Sequence, residues 1–261
     1  MNKKLNAKIQ KLVPILDEKD NFFSSSLAIE PEERELVLKK GSVYTVYNIT
    51  SPVEFDISLI NKVINDVLFD SYYHSENISP IQSLEKAVVN INEKMTSLAA
   101  EEQAVKGNKP VSDDKVQFNI VAGVLWGNVL YIVQYGQGNS FLMREGDINK
   151  VSATSEGNFS VASGVVKDDD VVVFCTEAFS EKYPPDKLLN TSLSSNDLEK
   201  GQACMIMKFV VDAEFTEDEA LNFNVGKEKK VPKVASMLKN IKGKKSKKEN
   251  SGNDATATLA D

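Results

Sequence analysis

The sequence predicts an α+β fold in which two stacked antiparallel β-sheets are flanked by helices. Three observations support this fold class: strand-like stretches near the N-terminus, two consecutive amphipathic stretches after them, and a run of closely spaced strand-like stretches in the second half. The regular alternation of strands and helices that is typical of parallel sheets is not seen. The 261 residues suit one large domain with tails better than two full domains.

The N-terminal region predicts a lead-in segment followed by two strands. In residues 1–21 apolar side chains recur at near-helical spacing, but Pro14 interrupts the pattern, so we expect an irregular lead-in. Residues 22–29 and 41–50 are rich in β-branched and aromatic side chains and are separated by charged turn material. They are therefore expected to be two strands of a sheet.

Two consecutive amphipathic helices follow. After Asp56, one helical face carries Ile57, Ile60, Val63, Ile64, Val67 and Leu68. The second helix has a stronger start signal, because Ser79 can cap it, Pro80 fits its first position and Gln82 completes a capping-box pattern. Its apolar stripe consists of Leu84, Ala87, Val88, Ile91, Met95 and Leu98. Such stripes face a core, so we expect both helices to cover one outer face of a sheet.

The second half of the chain predicts the remaining strands. They occupy residues 116–125, 129–135, 140–144, 171–176 and 204–212. Gly127-Asn128 and Glu145-Gly146 are typical of hairpin turns. The run Asp168-Asp169-Asp170 predicts a solvated turn, because consecutive carboxylates before a strand point in different directions. A short helix is expected around residues 185–190.

Composition excludes several classes of chemistry. His74 is the only histidine, and Cys175 and Cys204 both lie in apolar strand-like runs, where free thiols are buried as small hydrophobes. The chain therefore has too few histidines and cysteines for a zinc site or a histidine-based catalytic triad. No apolar run approaches the roughly 20 residues that cross a bilayer, and the N-terminus does not resemble a signal peptide, so we expect a cytoplasmic protein.

The net charge of −7 is distributed unevenly along the chain. Residues 227–248 contain ten lysines and one acidic residue, so the preceding part is strongly acidic and disfavours nucleic acid as a partner. We expect residues 213–261 to form a disordered basic and polar tail. The alternative for residues 227–248 is weak contact with an anionic membrane, because large apolar residues between Val234 and Ile241 would share one helical face.

Truncation after Phe223 is expected to leave the melting temperature almost unchanged. The removed residues are too polar to bury enough apolar surface to offset the entropy lost on ordering them. Calorimetry of the full and truncated chains measures the difference. A large fall in the melting temperature of the truncated chain would contradict this prediction.

The membrane alternative is tested with a peptide of residues 227–261 and anionic vesicles. We expect no co-sedimentation at low salt, because an isolated helix of under about 12 residues is marginal in water. If the peptide does bind, each lysine near the surface contributes on the order of 1 kcal/mol, so binding should collapse as salt is added. Sedimentation at low salt that disappears at high salt would favour the membrane over a linker.

Two strand motifs resemble those of the metal-dependent type-2C (PPM) protein phosphatases. Residues 123–142, G-V-L-W-G-N-V-L-Y-I-V-Q-Y-G-Q-G-N-S-F-L, are similar to the central hairpin of that family, G-N-x-L-Y-V-A-N-V-G-D-S-R-A-Y-L. Residues 170–179, D-V-V-V-F-C-T-E-A-F, resemble its D-x-L-L-L-C-S-D-G-L strand. Residues 43–49 and 201–206 stand where the family has its early V-x-D-G and final D-N-A-T-V-V strands. The resemblance covers residues 22–212 and implies an α-β-β-α sandwich.

The resemblance also identifies the positions of the metal site of that family. There, carboxylates hold two divalent ions, usually manganese or magnesium, which activate a water for attack on a phosphoester. The corresponding positions here are Asn48, Gln137, Glu177 and Gly201. Only one of them is a carboxylate, and the phosphate-gripping arginine common near the start of the family has no counterpart in the first 28 residues. We therefore expect none of the four to be catalytic or to hold a metal.

These substitutions favour a catalytically degenerate PPM-like domain, a pseudophosphatase that binds a protein partner or acts as a regulatory scaffold and needs no cofactor. One alternative is a working Ser/Thr phosphoprotein phosphatase in which Asp113, Asp114 or residues 168–170 supply rearranged manganese or magnesium ligands. An N-terminal-nucleophile hydrolase also stacks sheets between helices. It needs an exposed Thr, Ser or Cys at its start, which the opening Met1-Asn2-Lys3 does not offer.

Overall fold

The computed structural model describes residues 5–76, 79–105, 115–151, 154–156, 158–188 and 193–211. All of these residues belong to one compact unit within residues 1–224. The predicted tail at 213–261, with its basic part 227–248, lies outside the described residues, as do Asp113 and Asp114. Within the described ranges, no helix is both long enough and apolar enough to cross a membrane.

Two antiparallel sheets form the centre of the molecule, which confirms the predicted α+β class. The five-stranded sheet contains, in spatial order, β1 (Leu5–Leu12), β11 (Cys204–Val211), β10 (Val171–Cys175), β6 (Asn139–Arg144) and β7 (Asp147–Lys150). The six-stranded sheet contains β2 (Lys19–Ile29), β3 (Ser42–Asp56), β4 (Gln117–Trp126), β5 (Val129–Tyr135), β9 (Phe159–Val165) and β8 (Thr154–Glu156).

The helices are distributed unequally over the two sheets. They are α1 (Arg34–Lys40), α2 (Ile57–Tyr73), α3 (Pro80–Val105), α4 (Glu177–Lys182), α5 (Pro185–Leu188) and a 3-10 helix (Ser195–Asp197). As predicted, α2 and α3 pack on the six-stranded sheet, and Asp56 caps α2 by accepting a hydrogen bond from the Leu59 amide at 2.9 Å. Among the described residues, the outer face of the five-stranded sheet is covered by the short α4 and α5 and by residues next to the 3-10 helix.

Successive side chains of β3 point alternately into two different hydrophobic cores. Tyr44 and Val46 are buried between the sheets, against Phe174 and other residues of the five-stranded sheet. Tyr47 and Ile49 point the opposite way and are buried beneath α2 and α3. Because both faces of this strand are covered, its side chains form a continuous apolar run, as those of a central strand do.

The N-terminal segment differs from its prediction. Residues 5–12, expected to be part of an irregular lead-in, form β1 and pair with β11 along their whole length. Leu5, Ala7 and Ile9 pack between the sheets, so the segment follows an alternating pattern that its near-helical spacing concealed. The edge of β11 offers a row of backbone donors and acceptors, and this long-range pairing overrides the local signal.

The Asp168-Asp169-Asp170 turn is only partly solvated, contrary to its prediction. Asp169 is exposed and has a positive φ of 65°, and its carboxylate pairs with Lys208 at 2.9 Å. Asp170, by contrast, is only 2% exposed and accepts hydrogen bonds from Arg144 Nε at 2.9 Å and Nη2 at 2.7 Å. The Lys167 amide donates a third bond at 2.7 Å. The last carboxylate of the run is therefore a buried anchor for the turn into β10.

Candidate functional site

The first predicted site position, Asn48, lies on the face of β3 that points between the sheets. In register it stands between Ser24 of β2 and Asn119 of β4. The Oδ1 atom of Asn48 and the hydroxyl of Ser24 are both buried and have no hydrogen-bond partner among the described residues. Three neutral polar side chains thus lie in one row across three strands, where the resemblance implies a metal-binding carboxylate.

Gln137 contributes its backbone rather than its side chain to this row. Its amide donates to Asn119 Oδ1 at 2.9 Å, while its side chain is exposed. The preceding Gly136 has a φ of 70°, and a Cβ at that position would lie 2.1 Å from the same Asn119 oxygen. Asn119 therefore ties the turn between β5 and β6 to β4. Sequence reasoning missed Asn119, since nothing in its local pattern distinguishes it from other strand residues.

Glu177, the surviving carboxylate, is the first residue of α4 and is exposed. The preceding Thr176 donates its amide to the Ala203 carbonyl at 3.0 Å, and its hydroxyl accepts from the Ala203 amide at 3.1 Å. These bonds bring the start of α4 beside the turn that precedes β11. The Glu177 side chain nevertheless faces solvent at a helix N-terminus, where a carboxylate is favoured without any ligand.

Gly201 occupies that turn with a φ of 84°, and an aromatic ring fills the space beside it. A Cβ at position 201 would lie 2.4 Å from Phe22 Cζ and 2.9 Å from Phe22 Cε1. The ring therefore takes the volume into which a side chain at position 201 would project. Local sequence patterns cannot predict this contact, because the two residues are far apart in the chain.

A lysine next to this turn adds positive charge. Lys200 forms ion pairs with Asp20 and, at 3.2 Å, with Asp17. Burial raises the pKa of the Asp20 carboxyl, but hydrogen bonds from Lys200 and from the Phe22 and Asn21 amides lower it below its ordinary value of 3.8. The Asp20 hydrogen bond also raises the pKa of Lys200. Lys200 therefore neutralises part of the negative charge of the two carboxylates near this turn.

The residues present do not fit a pair of divalent ions. Such ions require several oxygen ligands, mostly carboxylates, and the described residues contain no convergent group of three or more His, Cys, Asp or Glu side chains. The three aspartates 168–170, considered as alternative metal ligands, each have a different partner. Asp168 accepts a hydrogen bond from the Val211 amide, whereas Asp169 pairs with Lys208 and Asp170 pairs with Arg144. Asp113 and Asp114, the other candidate metal ligands, lie outside the described part of the chain.

Comparison with known proteins supports the fold through structure alone. No family model and no curated protein matches the sequence. The catalytic domain of the serine/threonine phosphatase PstP, solved with two manganese ions, matches with a TM-score of 0.51 and 9% identity over 79% of this chain and 99% of that chain. A bacterial serine phosphatase matches with a TM-score of 0.52 and 9% identity over 80% and 100%. The S. agalactiae serine/threonine phosphatase matches with 0.50 and 8% over 80% and 100%.

The described part of the chain therefore has the fold of the PPM-type protein phosphatases, and the resemblance drawn from its strand motifs is confirmed for the fold. One expectation is wrong: this chain was expected to need no cofactor, with manganese or magnesium as the alternative, whereas the PstP catalytic domain, to which its fold is similar, was solved with two manganese ions.

Proposed function

We propose that this chain is a catalytically degenerate PPM-like domain that binds a protein partner. The observation that carries this proposal is the contact of Phe22 with Gly201, where a ring fills the space that a metal-binding side chain would need. Of the positions that match the family's metal ligands, only Glu177 is a carboxylate and it is exposed, while Asp17 and Asp20 near Gly201 are paired with Lys200. A two-metal site needs negative charge to bind the divalent ions, which in turn activate the attacking water.

The purified chain is expected to show no manganese- or magnesium-dependent turnover of aryl phosphate or phosphopeptide. Initial rates are measured over a range of metal concentrations, beside a PPM-fold phosphatase as positive control. Manganese binding is measured separately by calorimetry, because bound metal does not by itself establish turnover. Metal-dependent hydrolysis that Glu177→Ala abolishes would contradict the proposal and favour the alternative, a phosphatase with rearranged ligands.

A surface groove that Asn119 and Gln137 help to line supports the protein-binding part of the proposal. It has a volume of about 680 Å³ and lies between α3 and the ends of β4 and β5. The residues that line it include Asn92, Thr96, Lys115, Gln117, Tyr135 and Gln137. Amide side chains can donate and accept at once, as a peptide backbone does, and a tyrosine ring adds apolar contact area. This chemistry suits an extended segment of another protein.

The groove is tested by affinity capture with three forms of the chain. Wild-type protein should retain a partner that a Gln117→Ala/Tyr135→Ala variant loses. The control is Leu59→Ala, which removes an exposed apolar side chain from α2, away from the groove. Equal capture by all three forms would show that the partner binds elsewhere.

A further inference from the structure

A cleft opens between the two sheets where β5 and β9 of one sheet face β6, β7 and β10 of the other. It has a volume of about 200 Å³, and residues in or directly after all five strands line it. Among the described residues, the cleft and the groove beside α3 have no lining residue in common. A ligand bound in the cleft would therefore be independent of the proposed protein partner.

The cleft exists because β9 has small residues where it faces the other sheet. Gly164 stands opposite Leu130 in the register, and Leu130 is buried between the sheets, so both positions face the same space. A Cβ at Gly164 would meet no atom within 4 Å, whereas a Cβ at Gly123 of β4 would lie 2.6 Å from Phe174 Cζ. The ring of Phe174 thus fills the sandwich beneath β4. Protein interiors are normally packed this closely, so the space beneath β9 is a departure from ordinary packing.

The lining of the cleft is apolar and uncharged. Nine of its eleven described residues are apolar or glycine, and the other two are Asn149 and Ser163. Asn149 stands opposite Leu142 in the register, so its exposed side chain lies on the cleft side of β7, at the rim. Ser163 precedes Gly164, and alternation along β9 places its side chain on the other face. A charged ligand would lose its water without gaining a partner, so the lining selects for neutral molecules.

Size excludes a helix or strand of another protein. Stacked sheets lie only about 10 Å apart, and a helix with its side chains is about 10–12 Å wide. An inserted strand would bring backbone amides and carbonyls that a single amide side chain at the rim cannot pair. A dry apolar cavity of about 150 Å³ binds benzene in another protein. We propose that the cleft binds a small neutral molecule, one aromatic ring or an alkyl chain of similar size, with at most one polar group at Asn149.

Methyl NMR of the full chain with toluene as the probe tests this site. Toluene should shift the methyl signals of residues that line the cleft and should saturate them with a dissociation constant on the order of 1 mM. The methyl groups expected to shift are those of Leu130, Ile132, Leu142 and Val172. Benzoate, similar in shape but charged, should leave them unchanged. No saturable shift, or an equal shift with benzoate, would overturn the proposal. So would shifts that follow protein concentration without toluene, because a side chain of a second copy would then fill the cleft.

A matched pair of variants assigns the binding to the cleft. Gly164→Leu places a side chain in the open space and should weaken toluene binding about tenfold or more. Ser163→Leu adds the same side chain to the other face of β9 and should bind toluene as the wild type does. If Gly164→Leu does not fold, Leu142→Phe, which narrows the cleft from the opposite sheet, takes its place. Wild-type affinity in the folded cleft-filling variant, or an equal loss in Ser163→Leu, would overturn the proposal.

Discussion

Gly41→Ala is expected to destabilise the domain by about 4 kcal/mol, a large part of the stability of a typical domain. Gly41 ends α1 with φ 74° and ψ −162°, a backbone conformation that is essentially restricted to glycine. An added Cβ would lie 2.1 Å from the Leu125 carbonyl oxygen and 3.0 Å from Trp126 Cα. Both are backbone atoms of β4, a central strand that cannot move aside. Urea unfolding at neutral pH measures the loss.

Gly127→Ala is the matched control for this experiment. Gly127 also has a positive φ, 62°, but a Cβ there would meet no atom within 4 Å. Its substitution should cost only about 1 kcal/mol, the price of a left-handed conformation without a clash. If Gly41→Ala and Gly127→Ala were equally stable, the close approach of α1 to β4 would have no energetic importance.

Asp170→Ala is expected to destabilise the domain by about 3 kcal/mol. The substitution leaves the half-buried Arg144 guanidinium and the Lys167 amide without the carboxylate that accepts their hydrogen bonds. Breaking a buried ion pair from one side is costly because the remaining group loses both water and its partner. Glu199→Ala, which breaks the exposed Lys182–Glu199 pair, should cost under about 1 kcal/mol. Similar losses in the two variants would mean that burial of Asp170 adds nothing.

The contribution of Asp170 should also depend on pH. Burial raises the pKa of its carboxyl, but the hydrogen bonds and charge of Arg144 and the Lys167 amide lower it below the ordinary value of 3.8. Because the folded pKa is the lower one, the stabilisation is fully present above the unfolded pKa and is lost as pH falls through the folded pKa. The difference between wild type and Asp170→Ala should therefore be constant above about pH 5 and shrink below pH 3.8. A difference that grows with acidity would contradict this assignment.

Local patterns in the sequence determined the type and order of the main elements. The apolar stripes of α2 and α3 specify which side of each helix is buried, the capping signal at Ser79 specifies where α3 begins, and the β-branched and aromatic residues of β3 specify a strand. Such information lies within a few residues, and it suffices to predict two stacked sheets with helices over one outer face. The substituted carboxylates were equally evident from the strand motifs alone.

Contacts between distant parts of the chain were decided only by the tertiary structure. The pairing of β1 with β11, the burial of Asp170 against Arg144 and the ring of Phe22 beside Gly201 each join residues that local periodicity treats separately. The sequence places Phe22 at the start of one predicted strand and Gly201 where the last strand opens, but it does not show that the two residues meet. Their meeting depends on how the two sheets pack, because packing, rather than local propensity, decides which side chain fills the space between them.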